Sequence, residues 1–276
     1  MCRSKMLSSP KPPSLNKLVI DGPAWLASDI HLGPNNPKTA QSFYDFLDRA
    51  GAQAGALFLL GDIFDVWTGD DCIDEPQPWL DTALSKLTAA ASRTPLWIGH
   101  GNRDFLMGQK LATRIGAQLL DSQTILQVHD QQVLLAHGDE FCSEDKKYQR
   151  FRKIVRNRWV QRVFLSLSLK QRQAIARQAR QKSIETQTNP NAVWHDVCLD
   201  TIAKDLACNG LERLIHGHTH RPGHYPALIH GQTVDRWVLP DWESDHLEDH
   251  QPARGGWVVV DESGLSLYDL HAKKIK

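Results

Sequence analysis

What this 276-residue sequence lacks narrows its class first. It has no net charge, with 32 Lys and Arg facing 32 Asp and Glu, so neither a polybasic tail protein nor an acidic solvating chain fits. No stretch reaches the roughly 20 consecutive apolar residues that a bilayer span requires. Even the apolar segment Trp159 to Leu169 is interrupted by Gln161, Arg162, Ser166 and Ser168. Cysteine is scarce: Cys2, Cys72, Cys142, Cys198 and Cys208 are odd in number, scattered and free of any C-x-x-C pair. That usage argues against a disulfide framework and for a reducing, cytoplasmic compartment. Met1 to Pro13 contain no apolar run of signal-peptide length. Residues 1–16 are therefore expected to be a disordered leader before a domain over 17–276. With 41% hydrophobic residues, that domain can bury a substantial core.

What is present is a series of short apolar runs ending abruptly in polar residues. Ala24 to Ala27 runs into Ser28-Asp29-Ile30-His31, and Ala56 to Leu60 into Gly61-Asp62. Leu96 to Ile98 runs into Gly99-His100-Gly101-Asn102, Val133 to Ala136 into His137-Gly138-Asp139, and Leu214-Ile215 into His216-Gly217-His218-Thr219-His220. These read as five buried strands with polar C-terminal tips. Between the early strands, Ala40, Phe43, Leu47 and Ala50 recur at helical spacing, with Asn36 as the expected cap, Pro37 at the first position and Gly51 as the expected stop. A second helix is expected over Pro78 to Ala91. Strand and helix alternate as in an α/β layered fold, whose ligands gather beyond the carboxyl ends of the strands.

The composition changes after residue 140. From Lys146 to Lys182 there are 13 Lys or Arg and no Asp or Glu. The spacing predicts helices over Asp145 to Arg158 and Lys170 to Ser183 around an apolar cluster of Trp159, Val160, Val163, Phe164, Leu165, Leu167 and Leu169, a helical insertion or cap over about 141–200. A further helix is expected near Asn191 to Ala207, and Gln232 to Leu270 alternates like antiparallel strands.

The tips supply Asp29, His31, Asp62, Asn102, His137, His218 and His220, an oxygen and nitrogen donor set without thiolate that suits Mn, Fe or Zn. Seven donors exceed one ion's needs. Two cations become plausible if one carboxylate bridges them, an arrangement suited to phosphoester hydrolysis. Any single Gly-Asp pair is equally explained as a strand-ending turn; five tips sharing one donor chemistry are not. His100 and His216 are candidates for orienting ligands or for ordinary buried histidines. Asp104 and Asp139 are read as partners of a site His or of an Arg, Asp70 and Asp71 as surface turn charges, and Cys72 and Cys142 as packing residues.

Asp29-Ile30-His31, Gly61-Asp62, Gly101-Asn102-Arg103-Asp104, His137-Gly138-Asp139 and Gly217-His218-Thr219-His220 together resemble the five ordered blocks of the calcineurin-like metallophosphoesterases. The resemblance implies a sandwich of two mixed β-sheets flanked by helices. It places Asp29, His31, Asp62 and His220 on one divalent ion and Asp62, Asn102, His137 and His218 on the other, with Asp62 bridging and Mn2+ the expected metal. Where many members carry a His after the motif Asn, this chain has Arg103, which cannot act as an acid near neutral pH but can grip a phosphoryl oxygen.

The longer blocks Phe64-Asp65-Val66-Trp67-Thr68-Gly69-Asp70-Asp71, His100 to Leu106 and His216 to Pro222 are similar to the branch of that family that hydrolyses UDP-2,3-diacylglucosamine to 2,3-diacylglucosamine 1-phosphate and UMP in lipid A synthesis. That likeness implies water activated by two metals, catalytic roles for Asp62 and Arg103, and substrate contacts at Asn102, Arg103, Asp145, Ser183, Gln187 and His218. The cap fits such a substrate. Its aliphatic residues suit acyl chains, and its basic residues suit an anionic membrane surface, which makes the chain a peripheral protein of the cytoplasmic face of the inner membrane. Few aromatics interleave with that charge, so no nucleic acid is expected, and no obligate protein partner is implied. Two other functions remain open: a soluble nucleotide diphosphatase or phosphodiesterase on the same fold, and an inactive metal-binding scaffold.

Overall fold

The computed structural model describes residues 15–187, 196–248 and 251–276, with the side chains at 182–184 and 186–187 outside that description. In chain order its elements are β1 (Asn16–Ile20), β2 (Ala24–Ala27), α1 (Pro37–Gln53), β3 (Ala56–Leu59), α2 (Pro78–Ala91), β4 (Leu96–Ile98), α3 (Gln109–Ile115) and β5 (Gln118–Leu119). Then follow β6 (Gln123–Val128), β7 (Gln131–Ala136), α4 (Lys146–Val155), α5 (Arg158–Leu165), α6 (Leu169–Gln187), α7 (Leu199–Asn209), β8 (Arg213–His216), β9 (Gly223–Ile229), β10 (Gln232–Val238), β11 (Gly256–Asp261) and β12 (Gly264–Asp269).

The strands form two six-stranded mixed sheets, β1-β6-β7-β8-β10-β9 and β12-β11-β2-β3-β4-β5. Strand alternation explains how they stack, because neighbouring side chains leave opposite faces. Ala24, Leu26, Ala56 and Phe58 point to the interior between the sheets, where they meet Leu126, Val128, Val133, Leu135 and Ile215. Trp25, Ala27, Leu57 and Leu59 point outward and pack under Phe43 and Leu47 of α1 and Leu84 and Leu87 of α2. On the other outer face, Leu134, Ala136 and Leu214 pack against Ile202 and Leu206 of α7. The result is a sandwich of two mixed sheets flanked by helices.

α2 spans the residues that its spacing predicts, with Pro78 at its first position. Elsewhere the structure corrects the reading. α1 continues through Gly51 to Gln53; a Cβ on Gly51 would lie 2.8 Å from Nε of Arg93, so this glycine admits a close neighbour and does not end the helix. Asn36 does not cap α1. Its side chain bridges Gly33 N and His31 O, and the first amides of the helix, Lys38 and Thr39, donate instead to the carboxylate of Asp245 at 3.0 and 2.8 Å. The segment read as leader ends earlier, because Asn16 already pairs with Thr124 in the β1–β6 ladder. Residues 1–14 lie outside the described residues, as do 191–195 at the expected start of the helix that is observed as α7. β10 is antiparallel to β9 but parallel to β8, so the tail is not uniformly antiparallel. Trp159 to Leu165 of the insertion's apolar cluster lie in a helix, α5, while Leu167 follows it and Leu169 begins α6; neither α4 nor α5 contains a buried residue.

Candidate active site

The tips of β2, β3, β4, β7 and β8 leave the sandwich at one edge, and the backbone there is unusual. Asp29, His31, Asp62, His218 and His220 all have φ between 51° and 66°, a left-handed conformation that non-glycine residues seldom adopt. Glycines let the loops close on one another. A Cβ on Gly101 would stand 2.0 Å from Oδ1 of Asp62, and one on Gly217 would stand 2.1 Å from Oδ2 of Asp29. No side chain larger than hydrogen fits at either position.

This backbone brings all seven candidate ligands together. His220 Nε2 is 3.3 Å from Asp29 Oδ1, and Asp29 Oδ2 accepts hydrogen bonds from Ser28 Oγ and His218 N. Asn102 Oδ1 lies 3.3 Å from His137 Nε2 and 2.8 Å from His218 Nδ1. The two oxygens of Asp62 face different partners: Oδ2 is 4.0 Å from His31 Nδ1, and Oδ1 is 3.8 Å from His137 Nε2. Ligand atoms of Asp29, His31 and His220 fall within 4.8 Å of one another, and so do those of Asp29, Asp62 and His137. Asp29 belongs to both triads, so two carboxylates, not Asp62 alone, stand between the two groups of histidines.

These residues fit divalent cations. Asp29 Oδ1 and both ring nitrogens of His31 are buried without a hydrogen-bond partner, a costly state for polar atoms unless something else binds them. His137 Nδ1 donates to Leu60 O at 3.1 Å, which aims Nε2 at Asp62 and Asn102, where it can bind a cation in exchange for its proton. Electrostatics agree. Burial raises the Asp62 carboxyl to about 7 against the pull of His137, with Asp104 and Asp29 pushing the same way. Burial lowers His137, but Asp62 and Asp29 outweigh it and lift that imidazole to about 9. His31 is held well below its ordinary range by burial and by the charge of Arg103, and His218 falls to about 4 through burial and its neighbour His137. Burial pushes the Asp29 carboxyl up too, but His220 and His137 outweigh it and hold Asp29 well below the usual carboxylate range, so two buried carboxylates stand in a site whose chemistry suits bound cations.

Around this cluster stand residues whose roles the sequence did not disclose. Asp104, fully buried, does not pair with a histidine or with Arg103; its carboxylate accepts the amides of Asp62, Ile63, Phe64 and Gly101 and so splices two ligand-bearing loops. His100 and His216 hydrogen-bond to the backbone carbonyls of Met107 and Gly217 rather than to ligands. Asp70 and Asp71 are not idle surface charges. Asp70 accepts from Trp67 Nε1 and from the amides of Gly108 and Leu111 at the start of α3, and Asp71 pairs with Arg172 of α6. Cys72 and Cys142 are packing residues, as expected.

Arg103 donates its own amide to Asp62 Oδ1 at 2.8 Å, while its guanidinium bonds Asp65 at 2.6 Å with Nε 3.5 Å from Asp62. The same Asp65 oxygen also holds Arg180 of α6 at 3.3 Å. A second tie joins the insertion to the site: Asp139 accepts from Tyr148 and Arg152, both at 2.7 Å, and Arg156 reaches Gly101 O at 3.0 Å. Burial pushes the Asp139 carboxyl up, but His137, Arg156 and Arg152 outweigh it and hold it well below the usual carboxylate range. Asp145 caps α4 by accepting from Tyr148 N at 2.9 Å. Ser183 and Gln187 fall in the last turns of α6, where their side chains lie outside the described residues.

Comparison with known proteins identifies the family. The family described as calcineurin-like phosphoesterase matches residues 22–222. A protein of Bordetella parapertussis named UDP-2,3-diacylglucosamine hydrolase is 46% identical over 256 residues, which cover 93% of this chain and 98% of that protein. Proteins of the same name from Chromobacterium violaceum and Pseudomonas entomophila are 39% and 37% identical, over 86% and 88% of this chain and 94% and 96% of their own.

Proposed function

Because the chain belongs to the calcineurin-like phosphoesterase family, we propose that it is a metal-dependent hydrolase of lipid A biosynthesis, cleaving the diphosphate of UDP-2,3-diacylglucosamine to 2,3-diacylglucosamine 1-phosphate and UMP. The carrying observation is the 46% identity, across 93% of the chain, to a protein named for that substrate. The buried Asp, His and Asn cluster provides the chemistry such a reaction needs.

In this reading Asp29, His31, Asp62 and His220 would hold one cation and Asp62, Asn102, His137 and His218 the other. The opposed oxygens of Asp62 support its bridging role. The absence of thiolate supports Mn2+. Divalent cations so held lower the pKa of a water and neutralise charge on the phosphoryl oxygens. Arg103, kept beside Asp62 by Asp65, directs a planar pair of donors at a phosphoryl oxygen and gains most as charge accumulates there. It transfers no proton. A phosphate monoester leaving group needs little protonation, which suits an Arg in place of a His. Asn102, Arg103, Asp145, Ser183, Gln187 and His218 are assigned to substrate contact.

Residues 17–276 then form one metallophosphoesterase unit with 141–200 as its cap. In the cap, Trp159 and Val163 are 72% and 69% exposed, and Phe151, Ile154 and Val160 are exposed beside them. Apolar side chains on helices that also carry many Lys and Arg suit acyl chains and an anionic lipid surface. No helix among the described residues is long and apolar enough to cross a membrane. Peripheral attachment to the cytoplasmic face of the inner membrane follows from this reading.

The test is turnover by purified protein with Mn2+ on UDP-2,3-diacylglucosamine and on an unacylated UDP-sugar. Strong preference for the acylated substrate is expected. Equal rates would instead indicate a soluble nucleotide diphosphatase, and no turnover of any diphosphate would indicate a metal-binding scaffold.

A further inference from the structure

The four histidines of the cluster are not oriented alike. His137 is fixed by a backbone carbonyl, Leu60 O, and His218 faces Asn102, while both nitrogens of His31 lack a partner. Among the described residues, His220 alone of the four has a carboxylate outside the proposed ligand set within ion-pair reach: its Nδ1 lies 3.8 Å from Oδ2 of Asp241, while its Nε2 faces Asp29. Asp241 is only 5% exposed, and the same Oδ2 receives Nη2 and Nε of Arg254 at 2.9 and 3.2 Å. The backbone around it is equally tied. Trp242 N donates to Asp29 O at 3.0 Å, and Glu243 and Arg254 exchange two backbone hydrogen bonds at 3.0 and 2.8 Å. One short segment after β10 therefore holds the main chain of Asp29 and places a carboxylate behind the far side of the His220 ring.

We propose that Asp241, clamped by Arg254, is a positioning residue of the active site that turns His220 so that its Nε2 meets the Asp29 side of the cluster. This rests on the reading of His220 as a metal ligand. A histidine that presents one nitrogen to a cation must keep its proton on the other, and a carboxylate behind that nitrogen fixes both tautomer and ring angle. His220 needs such a brace more than its neighbours do, because its side chain is 38% exposed while that of His137 is buried. Arg254 meets Asp241 from the segment entering β11, so the two ends of the loop between β10 and β11 together set the ring.

The test is Mn2+ binding by equilibrium dialysis on wild-type protein, Asp241→Ala, Asp241→Asn, Arg254→Gln and His220→Ala, with turnover measured across Mn2+ concentration. Asp241→Ala should weaken the affinity for one Mn2+ by about 10- to 100-fold, the scale for losing an outer partner of a ligating histidine. Turnover should recover at high Mn2+. Asp241→Asn, which keeps an acceptor for Nδ1, should lose less, and Arg254→Gln should shift affinity in the same direction as Asp241→Ala. Folded Asp241→Ala with wild-type Mn2+ affinity overturns the proposal; if that variant does not fold, unchanged affinity in both Asp241→Asn and Arg254→Gln overturns it equally. Full Mn2+ binding by His220→Ala would instead overturn the assignment of His220 as a ligand, leaving Asp241 nothing to position.

Discussion

Asp104→Asn keeps the shape of the side chain and removes half of what it does. In the wild type, Oδ1 accepts the amides of Asp62 and Gly101 at 3.2 and 2.8 Å, and Oδ2 those of Ile63 and Phe64 at 2.7 and 3.3 Å. Whichever way an asparagine turns, its NH2 group faces two buried amide donors, and those two N–H groups lose their acceptor. At about 1–3 kcal/mol for each buried donor left unsatisfied, the cost is about 2–6 kcal/mol, a large share of the roughly 5–15 kcal/mol that stabilises a typical domain. No cavity is made, so packing contributes little. Thermal and urea unfolding in EDTA should show a loss near the middle of that range, about 10 °C in Tm at roughly 2–4 °C per kcal/mol. Mn2+ affinity should fall with it, because Asp62 and Asn102 sit on the two loops that Asp104 joins. A shift below about 1 kcal/mol would mean that the four amides are satisfied without the carboxylate, contrary to the role given to Asp104.

Three further outcomes follow from particular contacts. Arg103→Ala should lower turnover by roughly 10² to 10³, the scale for losing one transition-state donor, while Mn2+ content persists, because the donor to Asp62 Oδ1 is the backbone amide; loss of metal would contradict that separation. Glu140 is raised to about 7 by burial and by the charge of Asp139. A raised carboxyl contributes stability that is complete below its unfolded value of 4.5 and lost as pH climbs through about 7. Glu140→Gln should therefore be more stable than wild type by on the order of 1–3 kcal/mol in urea titrations at about pH 8, with the advantage gone near pH 4.5; a pH-independent difference would refute it. Trp159→Ser with Val163→Ser should weaken partitioning onto phosphatidylglycerol vesicles tenfold or more at roughly 1.5–3 kcal/mol per large apolar side chain withdrawn from water, and unchanged partitioning would remove α5 from the membrane surface.

The sequence was most legible where local chemistry decides the structure. Five apolar runs ending in Asp, Asn and His marked five strand tips, and Pro78 with its Leu spacing marked α2 to the residue. It was least legible where a residue answers a partner far along the chain. Asp70 and Asp71 look like turn residues in sequence, and Asp104 like the partner of a site His or an Arg, but they hold amides or an arginine of other elements. Asp245 caps α1 from more than 200 residues away, a pairing that no local pattern announces. Gly51 carried the signal of a helix end because glycine admits both a turn and a close neighbour, and only the position of Arg93 separates the two. Asp65, Asp241 and Arg254 belong to no ligand motif, so nothing in their spacing set them beside Arg103 and His220. α5 is the clearest omission: the spacing marks its apolar residues as a cluster between two helices, whereas Trp159 to Leu165 lie in a helix of their own with an exposed face.

In the proposed site the strand tips hold two cations with Asp62 between them. Metal analysis after equilibrium dialysis against Mn2+ tests it most directly, comparing wild type with Asp62→Ala. Two Mn2+ per wild-type chain are expected, and at most one in the variant. A wild-type chain that binds none, or an Asp62→Ala chain that still binds two, would contradict it.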